Sequence, residues 1–438
     1  MLSVVALAAA SVGDRCAALS AQSSPTLEIV SAESEAGTCR VTGFAYPLPG
    51  ARVGFELRLP ESGWTGRYVQ LGTGGFAGTL FPETIAVEAQ RGNAAAMTDS
   101  GHQGDRMSAA WAAGNPQAVR DYGFTSIKAT SDAAYRLIRA YYGRPARWRY
   151  FVGCSNGGRQ ALTAAQSYPD DWDGILAGSP ANPWTEQLYR FASLQHALAG
   201  LGAQSLIPKL PAIQQAALAS CAPGTVRKGV ATDPRLCSFR PETAGLAPSE
   251  ITAVRTIIDA GYEPTSAAQP DGWARWILGA GAGQIAFAEQ AFRYLLQDSP
   301  RWTLADFDAA SARQAAQRWS GTLDVAPDFR RFRAKGGKII SYFGWADSLI
   351  APRLALDFFH RAQPAPDYYR LFMIPGMGHC QGGVGPVDFG QSADAPARSP
   401  DPRYDVRAAL VAWVEHGQPP DSLTAVGKDD QAALKPVR

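Results

Sequence analysis

The sequence predicts an α/β fold that is interrupted by a long helical insertion. Strand-like and helix-like stretches alternate over residues 52–178 and again over residues 335–417, as is typical of a sheet covered by helices. The interval between them is rich in helical patterns and is punctuated by Pro and Gly. We therefore predict a core formed by residues 16–178 and 335–438, with an inserted, mainly helical domain over residues 179–334.

Length, composition and charge agree with a large globular protein. The chain has 438 residues, which suit one large domain with an insertion or two domains. Hydrophobic residues make up 46% of the chain and charged residues 18%. The formal net charge of +2 does not indicate a nucleic acid or an anionic membrane as a partner. No run after the N-terminus is long and apolar enough for a membrane anchor.

The N-terminus has the features of an export signal. Leu2–Val12 is apolar and built from small residues, and Ala8–Ala10 offers a site like those cleaved by signal peptidase. The basic start of a signal peptide is absent, and a buried N-terminal helix is the alternative. We predict that residues 1–15 are the remnant of a signal peptide and that the protein is secreted or periplasmic.

Cysteine usage favours disulfides over a metal site. The chain has six cysteines and no Cys-x-x-Cys pair, and an exported protein forms disulfides. Six cysteines allow 15 full pairings, among which the sequence alone does not choose. Proximity in the chain favours two pairs and leaves two cysteines over: Cys16 with Cys39, Cys221 with Cys237, and the remaining Cys154 and Cys380.

The stretch YFVGCSNGGRQAL predicts a sharp turn between a strand and a helix. Tyr150–Val152 favours a buried strand, and Arg159–Gln166 continues as a helix. Gly153 and Gly157 flank Ser155 at the spacing Gly-x-Ser-x-Gly, which is typical of a nucleophile elbow. Such a turn lifts the serine hydroxyl above the sheet edge. The alternative is an ordinary strand, glycine turn and helix.

Two later strands end in loops that carry an acid and a base. Lys338–Phe343 is followed by Asp347, and Tyr369–Ile374 is followed by His379. The order Ser155, Asp347, His379 is that of an α/β-hydrolase triad, in which histidine removes the serine proton and the carboxylate orients the histidine. Four other histidines are weaker candidates for the base: His102, His196, His360 and His416.

Two cysteines adjoin the predicted nucleophile and base. Cys154 precedes Ser155, and Cys380 follows His379. If the serine and the histidine are hydrogen-bonded, the two cysteines can lie within the roughly 4.4–6.8 Å Cα separation of a disulfide. We expect that bond to hold the two loops together. The alternative is a pair of buried thiols.

Several segments resemble one known family. GCSNGGRQAL, GWADSLIAP and PGMGHC are similar to the Cys-Ser, Asp and His-Cys signature of the tannase and feruloyl esterase family. LGTGGFAGTL, AAAMTDSGHQG, YPDDWDGILAGSPANPW, QDSPRWTLADFD and VAWVEHGQPPD agree as well. The resemblance extends from Cys16 to about Ala425. The family also contains mono(2-hydroxyethyl) terephthalate hydrolases.

The resemblance implies a fold and a set of roles. The fold is an α/β-hydrolase core with an inserted lid that covers the active site and sets substrate choice. The implied roles are a nucleophile, a triad acid, a base and a linking disulfide, carried by Ser155, Asp347, His379 and the pair Cys154–Cys380.

A serine hydrolase also needs donors for the oxyanion of its tetrahedral intermediate. The backbone amide of Asn156, directly after the nucleophile, is one candidate. The second is Gly74 or Gly75, which follow the strand Tyr68–Leu71 and allow close backbone approach. A simple strand-to-loop turn is the alternative there.

The insertion contains candidates for substrate binding. Trp273, Trp276 and Phe287 are candidates for an aromatic pocket. Arg275 and Arg293 are candidates for contact with a substrate carboxylate. The alternative for each is a structural role in the lid.

The family's lid usually carries a calcium site in a short acidic loop between two cysteines. The corresponding stretch here, Cys221–Cys237, has Asp233 as its only acid, beside Arg227, Lys228 and Arg235. Calcium requires six to eight oxygen ligands with carboxylates to balance its charge, and this loop carries a net charge of +2. We therefore predict no calcium, no other metal and no cofactor.

These observations predict an exported serine carboxylic-ester hydrolase that cleaves small esters of aromatic acids, of feruloyl or galloyl type, through an acyl-enzyme. A hydrolase of terephthalate monoesters is the alternative within the same class, since fold does not determine substrate. A non-catalytic binding protein on a hydrolase scaffold is the alternative from another class. The intact triad argues against it.

Overall fold

The computed structural model of the protein describes residues 12–279 and 281–437. Most of the predicted leader, residues 1–11, lies outside the described residues. Helix α1 (Val12–Ala17) carries Cys16, whose disulfide to Cys39 ties the helix to the second strand.

Strands and helices alternate in the order that the sequence predicts. The described strands are β1 (Leu27–Glu35), β2 (Thr38–Ala45), β3 (Val53–Pro60), β4 (Arg67–Leu71), β5 (Ala94–Thr98), β6 (Trp148–Cys154), β7 (Gly174–Gly178), β8 (Val226–Arg227), β9 (Val230–Ala231), β10 (Lys338–Gly344), β11 (Tyr369–Ile374), β12 (Leu423–Val426) and β13 (Gln431–Leu434). The α-helices after α1 are α2 (Pro82–Gln90), α3 (Pro116–Arg120), α4 (Ser126–Tyr142), α5 (Asn156–Ser167), α6 (Trp184–Ala199), α7 (Leu210–Ala219), α8 (Pro248–Asp259), α9 (Gly283–Gln290), α10 (Ala309–Leu323), α11 (Arg330–Ala334), α12 (Pro352–Arg361) and α13 (Val406–His416).

Nine of the strands form one sheet, in the order β1-β2-β3-β5-β4-β6-β7-β10-β11. The first three strands and the pair β3–β5 are antiparallel. All pairs from β5 to β11 are parallel. This mostly parallel sheet with helices packed on it confirms the predicted α/β-hydrolase fold class.

Both faces of the sheet are covered, which explains the apolar runs in its parallel strands. Along β10, Ile339 and Phe343 belong to the core on one face, while Ile340 and Tyr342 belong to the core on the other. These four side chains are essentially inaccessible to solvent.

The predicted insertion contains α6 to α11 and the small hairpin β8–β9, and it contributes no strand to the nine-stranded sheet. It has a core of its own that includes Leu206, Ile213, Val254 and Trp273. The division into core and lid domains at residues 179 and 334 stays a prediction.

The beginning and the later part of the insertion are hydrogen-bonded to each other where α10 ends. The amide nitrogen of Asn182 donates to the carbonyl of Val325 at 3.3 Å, and the N–H of Val325 donates back at 2.8 Å. The carboxylate of Asp324 accepts from both the N–H and the hydroxyl of Thr185.

The three predicted triad residues follow three parallel strands of the sheet, of which β10 and β11 are neighbours and β6 is separated from β10 by β7. Ser155 follows β6, Asp347 follows β10 and His379 follows β11. They lie at the carboxyl edge of the sheet, where α/β proteins bind their ligands. No helix in the described part of the chain is long and apolar enough to cross a membrane.

Candidate active site

The backbone at Ser155 adopts a strained conformation. Its φ is 59° and its ψ is −125°, a region that non-glycine residues occupy only when the surroundings impose it. The Ser155 N–H donates to the carbonyl of Gly178 at 3.0 Å. The Ser155 carbonyl accepts from the N–H groups of Arg159 and Ala181, both at 3.0 Å. The side chain stays partly exposed between β6 and α5.

Glycines surround this elbow because backbones meet there. A Cβ on Gly153 would lie 2.5 Å from the carbonyl of Gly157. A Cβ on Gly157 would lie 2.9 Å from the carbonyl carbon of Gly72, which follows β4. The end of β4, the end of β6 and the start of α5 therefore touch backbone to backbone, and any side chain would separate them.

Asp347 and His379 form a hydrogen-bonded pair. The carboxylate of Asp347 is fully buried, and its Oδ1 accepts from the N–H groups of Leu349 at 3.0 Å and Ile350 at 2.9 Å. Its Oδ2 lies 2.8 Å from Nδ1 of His379. The two backbone donors fix the carboxylate, and the carboxylate in turn orients the imidazole.

A disulfide joins the loop that carries the serine to the loop that carries the histidine. Cys154 and Cys380 are bonded, with 5.9 Å between their Cα atoms and 226 residues between them in the chain. Cys380 itself has a positive φ of 71°. The structure thus pairs Asp347 with His379 and joins the residue before Ser155 to the residue after His379. The pairs Cys16–Cys39 and Cys221–Cys237 are present as well, so all six cysteines are bonded.

A buried arginine beneath the elbow is the largest feature that sequence reasoning missed. Arg159 is fully buried and donates to Oδ1 of Asn156 at 2.9 and 2.8 Å. The side-chain nitrogen of Asn156 donates in turn to the carbonyl of Thr73 at 3.1 Å. Burial lowers the pKa of Arg159. Its other acceptors are three backbone carbonyls: Tyr122, Gly123 and Leu323.

Three backbone N–H groups are candidates for the oxyanion hole. Asn156 is the first residue of α5, where an N–H has no partner within the helix. The N–H groups of Gly74 and Gly75 donate to no atom of the described residues. The loop is fixed by a 3.0 Å hydrogen bond from the hydroxyl of Tyr122 to the carbonyl of Gly75. The oxyanion role of these groups stays a prediction.

His102, one of the weaker base candidates, supports this loop. Its Nε2 is 2.8 Å from the carbonyl of Phe76, and its ring stacks on Trp111 with 3.9 Å between centroids. Burial lowers the pKa of His102 to about 4, so the ring is neutral near pH 7.

A cleft of about 710 Å³ opens beside His379 and is lined by two of the predicted substrate residues. Trp276 presents its ring edge to the imidazole at 6.4 Å between centroids, and its indole nitrogen has no acceptor within the described residues. Arg275 pairs with Asp271 at 2.7 Å and lies over the Trp276 ring. Both residues belong to a π-helical segment, Ala274–Leu278, a conformation often found at functional sites.

The other predicted substrate residues lie elsewhere. Trp273 is fully buried in the core of the insertion. Phe287 is buried against Phe76. The guanidinium of Arg293 donates to the carbonyl of Trp302 at 2.7 Å. None of these three lines the cleft beside the histidine.

Three of the four charged residues in the loop Cys221–Cys237 are engaged in ion pairs. Asp233 pairs with Arg235 at 2.7 Å, and Lys228 pairs with Asp430 at 3.3 Å. Among the described residues, no group of three or more His, Cys, Asp or Glu side chains is arranged to hold a metal ion. That the loop binds no calcium stays a prediction.

Comparison with known proteins agrees with this geometry. The sequence model described as "Tannase and feruloyl esterase" matches residues 39–254 and 254–436. An uncharacterized esterase of Xanthomonas campestris pv. campestris is 35% identical over 90% of this chain and 78% of its own length. A probable feruloyl esterase B-2 of Aspergillus flavus is 30% identical over 88% and 79%. The mono(2-hydroxyethyl) terephthalate hydrolase of Piscinibacter sakaiensis is 28% identical over 88% and 76%.

The fold is shared with solved structures. The crystal structure of feruloyl esterase B from Aspergillus oryzae superposes with a TM-score of 0.88 at 22% identity, covering 97% of this chain and 96% of that one. The matches favour a hydrolase over a non-catalytic binding protein. The chain therefore belongs to the tannase and feruloyl esterase family and is a carboxylic ester hydrolase.

Proposed function

We propose that the protein is an exported serine esterase that cleaves esters of aromatic acids, of feruloyl or galloyl type, through an acyl-enzyme on Ser155. The observation that carries the proposal is the Cys154–Cys380 disulfide. It covalently fixes the residue before the proposed nucleophile against the residue after the proposed base.

The hydrogen bond to Asp347 assigns the roles of the two ring nitrogens of His379. A buried carboxylate that already accepts two backbone N–H groups acts as an acceptor towards Nδ1. Nδ1 therefore carries the proton, and Nε2 is left with the lone pair that a general base requires.

The reaction follows in two halves. The Ser155 hydroxyl oxygen attacks the acyl carbon while its proton passes to Nε2 of His379. The carbonyl electron pair moves onto the oxygen, where the N–H groups of Asn156 and of Gly74 or Gly75 stabilise it. Collapse breaks the ester bond, and the alcohol leaves with the proton from His379. Water then attacks the acyl-enzyme in the same manner, releasing the acid and restoring the serine.

The substrate class rests on the cleft and on the named relatives. The Trp276 ring beside the histidine suits an aromatic acyl group, since aromatic pairs favour edge-to-face or offset contact. One relative is named as a probable feruloyl esterase, which supports the same class of ester.

A terephthalate monoester hydrolase is the second candidate. It is favoured by the similarity to the Piscinibacter sakaiensis enzyme. Terephthalate monoesters carry a free carboxylate beside the ester, and Arg275, which lines the cleft with a 61% exposed side chain, is the candidate to bind it.

Export is supported by the bonding of all six cysteines, because disulfides persist in oxidising compartments. A fusion of residues 1–25 to a reporter that is active only after export tests this part of the proposal. Export of the reporter supports it, and retention in the cytosol contradicts it.

Covalent catalysis is tested by labelling with a serine-directed aryl phosphonate. Mass spectrometry should find one adduct, on the peptide that carries Ser155. An adduct on another serine would overturn the assignment.

Substrate choice is tested with methyl ferulate, methyl gallate and a terephthalate monoester. If the second candidate is right, Arg275→Gln should lower kcat/KM for the terephthalate monoester about tenfold more than for methyl ferulate, because only the former presents a free carboxylate. Arg293→Gln, which lies outside the cleft, is the matched control and should leave the ratio unchanged. An unchanged ratio in Arg275→Gln would favour the feruloyl or galloyl class.

A further inference from the structure

A second cavity, of about 570 Å³, lies next to the proposed catalytic cleft, which His379 lines and Ser155 does not. It is enclosed by the hairpin β8–β9, by β13 and the residues after it, and by the ends of β10 and β11. The two cavities share Gly385 as a common lining residue, but neither Ser155 nor His379 lines the second one. Its volume lies in the roughly 300–1,000 Å³ range of small-molecule sites.

The lining of this cavity is basic. It contains four cations and two acids: Arg227, Lys228, Arg235, Lys435, Asp233 and Asp430. The acids are engaged by Arg235 and Lys228. Arg227 and Lys435 are both exposed and form no ion pair with the described residues. The cavity therefore has two cations whose charge is not balanced by any carboxylate of the described residues.

The wall opposite this charge is apolar. Trp345, Met373 and Leu434 are buried there. The guanidinium of Arg235 lies 5.4 Å from the ring centroid of Trp345, so charge and aromatic surface meet within the cavity. An inorganic anion would contact only the cations. An uncharged aromatic molecule would contact only the apolar wall. A planar molecule with both a ring and a carboxylate uses both.

We propose that this cavity binds a small aromatic carboxylate at a site separate from the catalytic cleft. The ring packs against Trp345 and Met373, and the carboxylate meets Arg227 and Lys435, of which Arg227 can donate two parallel hydrogen bonds. A cation is excluded by the sign of the charge. The proposal does not depend on the acyl-enzyme mechanism.

The probe is 4-azidobenzoate, which crosslinks to whatever protein surface it occupies when irradiated. Peptide mass spectrometry of the purified full chain should locate label on residues 227–235 or 430–437. The neutral 4-azidobenzamide should label these peptides at least about tenfold less at equal concentration, since it lacks the charge that the two cations recognise. Excess ferulate should suppress the labelling.

The variant Arg227→Glu with Lys435→Glu should lower labelling of these peptides at least about tenfold, while label in the cleft on residues 271–276 is retained as an internal control. Both positions are exposed, and an unchanged melting temperature would show that the variant folds. Arg330→Glu, a highly exposed site outside the cavity, is the matched control and should have no effect. Label confined to the cleft, equal labelling by the amide, or labelling unchanged by the double variant would each overturn the proposal.

Discussion

The chain contains two Cys-Ser dipeptides, Cys154–Ser155 and Cys237–Ser238, and in both the cysteine is in a disulfide. The first follows a central strand, and its disulfide partner is 226 residues away. The second lies in a surface loop, and its partner is 16 residues away. The same two residues thus occur in two very different environments.

The difference lies in what surrounds each serine. Ser155 has a positive φ, packed glycines on both sides and a buried arginine beneath it. Ser238 is exposed, and its N–H donates to the carbonyl of Ser220 in an ordinary loop contact. The dipeptide alone therefore does not predict a nucleophile. The proposed role of Ser155 is supported by the packed, strained backbone around it and by the disulfide that joins its loop to that of His379.

The largest expected effect is the loss of the elbow serine. Ser155→Ala should lower kcat for an aryl ester at least about 10⁴-fold, because loss of a triad serine removes the covalent route. Ser238→Ala, the matched change in the other dipeptide, should leave kcat within about twofold. Steady-state kinetics on both variants make the test, and comparable losses in the two would contradict the contrast drawn here.

Removal of the Cys154–Cys380 disulfide should reduce both activity and stability more than removal of the Cys221–Cys237 disulfide does. Replacing Cys154 and Cys380 by serine should lower turnover on the order of a hundredfold in protein that is still folded, because small displacements of a catalytic base are that costly. Loop-closure entropy predicts a stability loss of about 5 kcal/mol for this pair and about 3 kcal/mol for Cys221–Cys237.

Serine at both Cys221 and Cys237 is the control, and its turnover should stay within about twofold of wild type. Kinetics at a temperature well below both melting transitions separate activity from stability. Unchanged turnover without the Cys154–Cys380 bond would show that packing alone positions the loops.

The contributions of two carboxylates to the pH dependence of stability should have opposite sign: that of Asp99, near the elbow, and that of Asp233, in the Cys221–Cys237 loop. Asp99 accepts hydrogen bonds from the N–H groups of Gly54 and Gly101 in the segment that packs under the elbow. Burial raises the pKa of Asp99 to about 7. Between about pH 4 and pH 7 the folded protein therefore holds a proton that the unfolded chain has lost, and stability falls as the pH rises.

The loop carboxylate at Asp233 behaves in the opposite way. Partial burial acts to raise its pKa, but the hydrogen bonds from Arg235 outweigh this and lower it. Asp233 therefore contributes stability above its unfolded pKa, and that contribution is lost as the pH falls. Because the pair is largely exposed, its contribution is below about 1 kcal/mol.

Denaturant unfolding of two variants from pH 2 to pH 7 makes the comparison. Relative to wild type, Asp99→Asn should become more stable as the pH rises above about 4, by up to about 4 kcal/mol at pH 7. Asp233→Asn should be slightly destabilised relative to wild type at pH 7 and should approach wild type as the pH falls below about 4. Taking the difference from wild type separates Asp99 from His102, whose lowered pKa acts in the opposite direction. If the difference in unfolding free energy from wild type changed with pH in the same direction for both variants, the prediction of opposite signs would be wrong.

The smallest expected effect is that of adding or removing calcium, which should leave the melting temperature unchanged. The Cys221–Cys237 loop should bind none, so elemental analysis of the purified protein should find no stoichiometric calcium. Melting curves in calcium and in chelator should coincide. A melting temperature that falls clearly on chelation would show that the loop resembles the family's calcium site in function despite its charge.

The elements around the site could be predicted because local signals coincide there. Tyr369–Ile374 was predicted with the bounds that the structure has, and Lys338–Phe343 extends by one residue to Gly344. Apolar runs mark buried parallel strands, and the polar or glycine-rich loops after them mark their ends. The order of serine, acid and histidine then gives the class of site.

The role of Arg159 in supporting the site could not be predicted, because most of its hydrogen-bond acceptors are distant from it in the sequence. Arg159 lies in a helix where an arginine normally faces solvent, and four of its partners are backbone or amide oxygens that no sequence pattern marks. The prediction of substrate-binding residues from the sequence is limited in the same way. Helical spacing does not distinguish Trp273, buried in the insertion core, from Trp276, which lines the cleft.

The 226-residue separation of Cys154 and Cys380 also has a consequence for chain synthesis. At about 5–20 residues per second, roughly 10–45 s pass between the appearance of the first thiol and that of its partner. Cys221 and Cys237 are both made during that interval, so two thiols that could compete for Cys154 exist before Cys380 does. Their pairing with each other across a short loop leaves Cys154 for Cys380.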